Sequence, residues 1–276
     1  MEATIPQAVA AAEPRPRRRL SLRPLLRAIV PVLLLFGWWA ATVGNPYGLI
    51  PGPGAVWLAL WDLAFGGIND DAFSQMLLPD LVASASRVYG AFLLAALFAL
   101  PLGMLIGRLR LVRELLEPTF QLLRPIPVTA WLPLSMILFG IGVKSAFFLV
   151  ALGAFFPILV NTVFAVRSVE PRLFEAALML GVSPARLFPK VVLPASMPGI
   201  FTGLRLGLGF AWVVIVVGEM TGVQTGLGAM IMDARQLSRT EIVIAGMAVI
   251  GVAGFLSDLA VVMLGRRLLA WSPQHG

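Results

Sequence analysis

Phe174 to Pro194, FEAALMLGVSPARLFPKVVLP, is the longest segment between apolar spans that carries both charge and a definite two-helix design. Arg172 to Leu180 are good helix formers, and Gly181 can take the left-handed conformation that ends a helix without a steric penalty. Ser183 then brings a side-chain oxygen suited to capping, and Pro184 sits first in the next helix, where a missing amide hydrogen costs nothing. That short second helix passes through Ala185, Arg186 and Leu187 toward Lys190, and Pro194 with Pro198 punctuates the return to an apolar span. The stretch predicts a helix, turn, helix knob on the positively charged side of a membrane.

The composition around it supports a membrane setting. A chain of 276 residues that is 59% hydrophobic and 13% charged, with mean hydropathy +0.90, is no ordinary soluble domain, where about 45–50% of residues are apolar and about 25% charged. The net charge of +7 raises the question of nucleic acid. Most of the basic residues, however, fall in 15–27, 108–113, 167–190 and 266–267, the segments that topology assigns to the cytoplasm, as the positive-inside rule requires. No nucleic-acid partner is expected. The absence of cysteine excludes disulfides, thiolate metal sites and cysteine nucleophiles, and the one histidine, His275, lies in the C-terminal tail. No metal site is expected.

In chain order, residues 1–27 are rich in Ala, Pro and Arg and read as a disordered basic cytoplasmic tail. Ala28 to Gly44 is an uncleaved first span rather than a signal peptide, being long and lacking a small-residue cleavage site before Asn45. Asn45 to Asp80 holds acids but no Lys or Arg and suits the far side, with Trp57 and Trp61 at the interface. Val82 to Gly107 crosses inward to Arg108, Arg110 and Arg113, and Pro118 to Gly140 crosses outward with Pro125, Pro127 and Pro133 inside it. Such breaks survive in lipid only where protein or water satisfies the freed carbonyls, so this span should face the centre of an assembly. Ser145 to Val166 returns inward, Gly199 to Met220 goes out, Thr221 to Glu241 forms an external loop, and Ile242 to Leu264 comes back to Arg266. The expectation is an all-α polytopic protein of about six spans, with both termini cytoplasmic. Residues 28–271 form one transmembrane domain containing the 172–194 loop, and 272–276 form a short tail.

Glu175, Ala176, Ala177, Gly181, Val191, Leu193 and Pro194 resemble the EAA signature of bacterial ATP-binding-cassette (ABC) importer permeases, with Val in place of Ile at 191. From about Ser86 to Trp271, including RPIPVTAWLPL at 124–134 and GEMTG at 218–222, the chain is similar to the nitrate, sulfonate, taurine and bicarbonate branch of these binding-protein-dependent inner-membrane components. The resemblance implies a type I (MetI-like) permease fold in the bacterial cytoplasmic membrane. It also implies a second permease copy, two ATP-binding subunits that hold ATP and Mg, and a periplasmic or lipid-anchored substrate-binding protein. This chain then carries no cofactor and is not itself an enzyme. Glu175, Ala176, Ala177, Gly181, Ser183, Arg186 and Pro194 are the expected ATPase-coupling residues, with Glu175 meeting a basic residue on the ATPase. Taken without the signature, Glu175 is equally a solvated acid near a helix N-terminus.

Inside the spans, Gly199, Gly203, Gly207 and Ala211 recur every fourth residue and form a small-residue stripe for close packing against a neighbour in the same subunit or a twin. Arg205 and Asp258 lie at similar depth and either pair, or Arg205 snorkels while Asp258 is protonated. Glu219 reads most simply as an interfacial acid, the alternative being a gate or a contact with a docked binding protein. Thr129, Trp131, Asn161 and Trp212, with Glu219, are candidate pathway residues; interhelical hydrogen bonding or packing is the plainer reading of the first three.

GIGVKS at 140–145 fails as a phosphate loop, which needs GxxxxGK followed by Ser or Thr, and GLRLGLG from Gly203 has no preceding strand and is no dinucleotide fingerprint. Asp70 and Asp71 read as solvated loop acids rather than a catalytic couple. The rival to an ATP-driven importer is a secondary transporter or channel, which calls for ionisable residues deep in several spans. Only Arg205, Asp258 and Glu219 qualify.

Overall fold

The apolar runs become helices: a computed structural model describes residues 23–44 and 50–269, and no strand occurs among them. The chain divides into two compact units, 1–48 and 49–276. The first holds α1 (Arg23–Val43), with Pro31 inside it. This helix reaches back into the stretch expected as tail, because Pro24 falls in its first turn, where proline is tolerated. Residues 1–22 and the 272–276 tail lie outside the described residues.

The second unit contains α2 (Pro53–Phe65), α3 (Leu77–Arg108), α4 (Arg110–Leu123), a 3₁₀ turn at Val128–Trp131, α5 (Leu132–Phe139) and α6 (Val143–Arg167). After these come α7 (Pro171–Met179), α8 (Pro184–Leu187), a π turn at Phe188–Val192, α9 (Leu193–Glu219), α10 (Leu227–Gln236) and α11 (Thr240–Leu268). Among the described residues four helices are long and apolar enough to cross a membrane: α3, α6, the continuous run Pro184–Glu219, and α11. α4 and Val128–Phe139 make a fifth crossing if the bent pair is counted as one.

That pair corrects the span expected at Pro118 to Gly140. The two helices meet at 90°. Pro125 and Pro127 have no amide hydrogen to continue the ladder, so α4 ends at Leu123 and the chain restarts as a 3₁₀ turn. The 45–80 stretch expected on the far side and the 221–241 stretch expected as an external loop both contain helices. In 45–80, α2 carries Trp57 and Trp61 on an exposed face, and Asp62 closes the following turn by accepting from Ile68 N at 3.0 Å and Ser74 Oγ at 2.9 Å. In 221–241, α10 is buried through Leu227, Met230 and Ile231.

The core lies where α6 packs between α3 and α9, with Val88, Leu149, Ile158, Leu208 and Ile215 buried there. Glycine permits the approach. A Cβ at Gly103 would stand 2.8 Å from Thr162 Cβ, and one at Gly207 would stand 2.6 Å from Ile158 Cγ1. At Gly199 it would meet Ala165 Cβ at 2.5 Å, and at Gly203 Asn161 Cβ at 2.8 Å. The stripe on α9 therefore packs against α6 of its own chain.

Candidate functional site: the 172–194 loop and the polar lock at the far end of α9

At the end of α7 the backbone forms a double closure: Val182 N donates to Ala177 O at 3.0 Å and Gly181 N to Leu178 O at 3.0 Å. Gly181 sits at φ 79°, the left-handed conformation that this closure requires. Ser183 precedes α8 as expected, but its hydroxyl makes no capping bond; its carbonyl accepts from Arg186 N at 2.9 Å. A further departure follows. α8 does not stop before the apolar span but runs on through the π turn into α9, where Leu193 N donates to Phe188 O, five residues back. Pro189 and Pro194 cannot donate, and the wider turn gives their rings room, so Pro194 lies inside the helix rather than ending it.

The knob shows two surfaces. Toward the spans, Phe174 and Phe188 pack on Val166, Val169 and Val192 together with Met104 of α3, and Arg108 lies 5.9 Å from the Phe188 ring. Ala177 and Leu187 are buried as well. Outward, Glu175, Ala176, Gly181, Ser183 and Arg186 are exposed. So are Leu178, Met179 and Leu180, the last two at 87% and 84%. Glu175 has no ion pair among the described residues.

At the other end of α9, Glu219 is not an interfacial acid reaching water. Its side chain is fully buried, because the short loop after α9 folds back over it. Ser84 Oγ donates to its two oxygens at 2.9 and 2.7 Å, Arg87 at 2.5 Å and Gly228 N at 2.9 Å. Arg87 also donates to Thr225 O at 2.6 Å and Thr225 Oγ1 at 2.8 Å, and Asp80 accepts from Gly226 N at 2.7 Å. Gly226, at φ 124°, admits the carboxylate, since a Cβ there would stand 2.5 Å from Glu219 Cδ. The network joins α3, α9 and the start of α10. Its sequence signal was Arg87, a lone cation inside an apolar run that needs an acid at its own depth on another helix.

Arg205 and Asp258 form a two-pronged pair, Nε to Oδ1 and Nη2 to Oδ2 both at 2.8 Å, half exposed at the side of α9 and α11. Trp212 is buried; its Nε1 donates to Ser257 Oγ at 3.0 Å, and Tyr89 Oη shares that hydroxyl at 2.7 Å. Asn161 faces Gly203, and its amide donates to Pro157 O within its own helix at 2.8 Å. Thr129 is exposed on the 3₁₀ turn. Beside it, the ring nitrogen of Trp131 is buried with no partner among the described residues. The pathway candidates are therefore not gathered round one opening within a single chain. The described residues contain no group of acids and histidines able to hold a metal ion.

Residues 99–270, which include the whole knob, match the model of the binding-protein-dependent transport system inner membrane component family. The taurine transport system permease protein TauC of Escherichia coli (strain K12) is 38% identical over 268 residues, covering 94% of this chain and 95% of that one. The bicarbonate transport system permease protein CmpB of Synechococcus elongatus is 36% identical over 206 residues, covering 74% and 72%. Among solved structures, the MetNI methionine ABC transporter in an inward-facing conformation superposes with a TM-score of 0.61 at 19% identity, over 70% of this chain and 96% of that one. The chain is a multi-pass membrane permease belonging to the binding-protein-dependent transport system inner membrane component family.

Proposed function

We propose that this chain is the pathway-forming subunit of an ABC importer for a small anion such as nitrate, a sulfonate, taurine or bicarbonate, and that the 172–194 knob docks into a separate ATPase. The observation that carries the reading is the knob itself. Its exposed tip, Leu178 to Leu180, is apolar, while its base is packed through Phe174 and Phe188 onto the ends of the spans. An exposed apolar tip on a rigid base is the form of a helix presented to a partner's groove. The taurine and bicarbonate relatives support the choice of an anion.

In this reading the loop side is cytoplasmic, in agreement with Arg108, Arg110, Arg113, Arg167, Arg266 and Arg267, and both termini share that side. Two permease copies form the pathway, two ATPase chains bind ATP and Mg and grip the knobs, and a periplasmic or lipid-anchored protein delivers the solute. Closure of the ATPases moves the knobs, and the spans alternate between inward and outward access. The chain itself makes and breaks no bonds.

Gly181→Asp places a side chain where the backbone is left-handed, at a cost of about 1–2 kcal/mol, and sets a charge beside the apolar tip. Co-expressed with a candidate ATPase subunit of the same organism, the variant is expected to insert normally yet recover a small fraction of the ATPase that wild type recovers on affinity purification, and Glu175→Lys likewise. Undiminished recovery in both variants would show that the knob is not the grip.

A further inference from the structure

Between α4 and the loop-side half of α6 lies a cavity of about 470 Å³, within the roughly 300–1,000 Å³ of small-molecule sites. From Phe156 to Arg167 α6 rises about 16 Å at about 1.5 Å per residue, so the cavity follows that helix from its loop-side end to near its middle. Its walls are aromatic and aliphatic, chiefly Phe120, Phe156, Val163 and Phe164. Phe120 stands 6.1 and 6.5 Å from Phe155 and Phe156, bridging the two helices.

The charges in this cavity do not balance. Arg124 and Arg167 line it with a single acid, Glu117. Glu117 faces Arg167 at 3.6 Å, beyond hydrogen-bond length, and accepts from Gln121 Nε2 at 3.3 Å. Arg124, where α4 ends, has no acidic partner among the described residues. One positive charge is left over an apolar trough. Guanidinium presents its donors as a planar fork that fits carboxylate, sulfonate or phosphate oxygens two at a time.

We propose that this cavity is a station for a small organic oxyanion, its head held by Arg124 and Arg167 and its short apolar body lying on Phe120 and Phe156. The proposal rests on the reading that the chain passes small anions, and it places one resting point of that anion in the loop-side half of the pathway. An anionic lipid offers the same head chemistry. The limited volume and the aromatic bridge from Phe120 across to α6 favour the short soluble ion.

The chain has no cysteine, so one introduced thiol reports on the cavity. Phe164→Cys places it at a wall residue that is 71% exposed. In the full-length permease reconstituted in phosphatidylcholine nanodiscs, with or without an ATPase bound, ethanesulfonate at ten times its dissociation constant is expected to slow maleimide labelling about tenfold. The neutral ethyl methyl sulfone should not slow it. Arg124→Gln should remove the protection, and Arg124→Lys, which keeps the charge but not the fork, should keep part of it. Labelling that ignores ethanesulfonate, or protection that survives Arg124→Gln, overturns the proposal. So does slowing that follows added phosphatidylglycerol instead of sulfonate, which would make the site a lipid one, and so does loss of the permease dimer in Arg124→Gln, which would make Arg124 an interface residue. Protection needs no ATP and is read on binding alone. A chain protected by ethanesulfonate that never recovers an ATPase therefore sinks the coupling reading and leaves this one standing, and the converse result does the opposite.

Discussion

Glu219→Gln changes one atom's element and removes one charge at a carboxylate that four donor contacts converge on. In the wild type Ser84 gives 2.9 and 2.7 Å, Arg87 2.5 Å and Gly228 N 2.9 Å, all to a side chain with no accessible surface. A carboxamide presents an NH₂ where two oxygens stood, so at least one of these donors faces another donor. Removing one partner of a buried ion pair costs about 3–5 kcal/mol, because the other charge stays buried without compensation. Arg87 keeps Thr225 O at 2.6 Å and Thr225 Oγ1 at 2.8 Å, with Asp80 still close by, which places the expected cost near the lower end, about 3 kcal/mol. At about 2–4 °C per kcal/mol for a domain of this size, the melting temperature should fall by roughly 6–12 °C. Thermal unfolding of the detergent-solubilised permease, followed by size-exclusion recovery, measures it. The double variant Arg87→Met/Glu219→Leu removes both charges and should recover at least half of the loss. A Gln variant that melts within about 2 °C of wild type, less than about 1 kcal/mol, would refute the idea that this carboxylate holds α3, α9 and α10 together.

Three further outcomes are expected. Gly203→Leu drives a side chain into Asn161 Cβ, 2.8 Å from where its own Cβ would stand, and should abolish monodisperse protein on size exclusion, while Gly209→Leu, with open space around it, should not. Exchanging the charges of Arg205 and Asp258 should restore much of the yield lost in each single charge reversal, because their contact is two-pronged on both sides. Arg239, donating to Asp71 at 2.7 Å, holds the Asp71 carboxyl below the usual carboxylate range. That contribution is complete above the unfolded value of about 3.9 and is lost as pH falls through the lower folded value. Melting temperatures taken from pH 6 down to pH 3 should therefore fall more steeply in wild type than in Asp71→Asn.

The loop was legible because its signals are local. Gly181 announces a left-handed residue and Pro184 a helix start, and neither depends on what lies elsewhere. The α9 stripe was legible for a similar reason, since a four-residue repeat of glycine fixes a face, although which helix met that face had to come from the structure. What escaped were features set by contacts far apart in sequence. Glu219 looked solvated because Ser84 and Arg87 lie more than 130 positions away, and Gly228 sits in a stretch with no hydrophobic period of its own. α10 escapes for a related reason: it packs on α3, α9 and α11 together, so no single apolar face marks it as a helix. The prolines misled in both directions. Pro125 and Pro127 end a helix inside an expected span, whereas Pro194, expected as punctuation, follows a wide turn into the helix and Pro198 lies within α9 itself.

That wide turn makes Pro184–Glu219 one unbroken strut of 36 residues, about 54 Å long at about 1.5 Å per residue. No hinge loop separates its knob end from its clamped end. Swung by about 5° about one tip, a lever of that length carries the other through about 5 Å, far more than the 2.5–2.9 Å bonds around Glu219 can stretch. α3 must therefore travel with the strut, and any push on Arg186 is felt at Ser84 on the opposite face of the membrane.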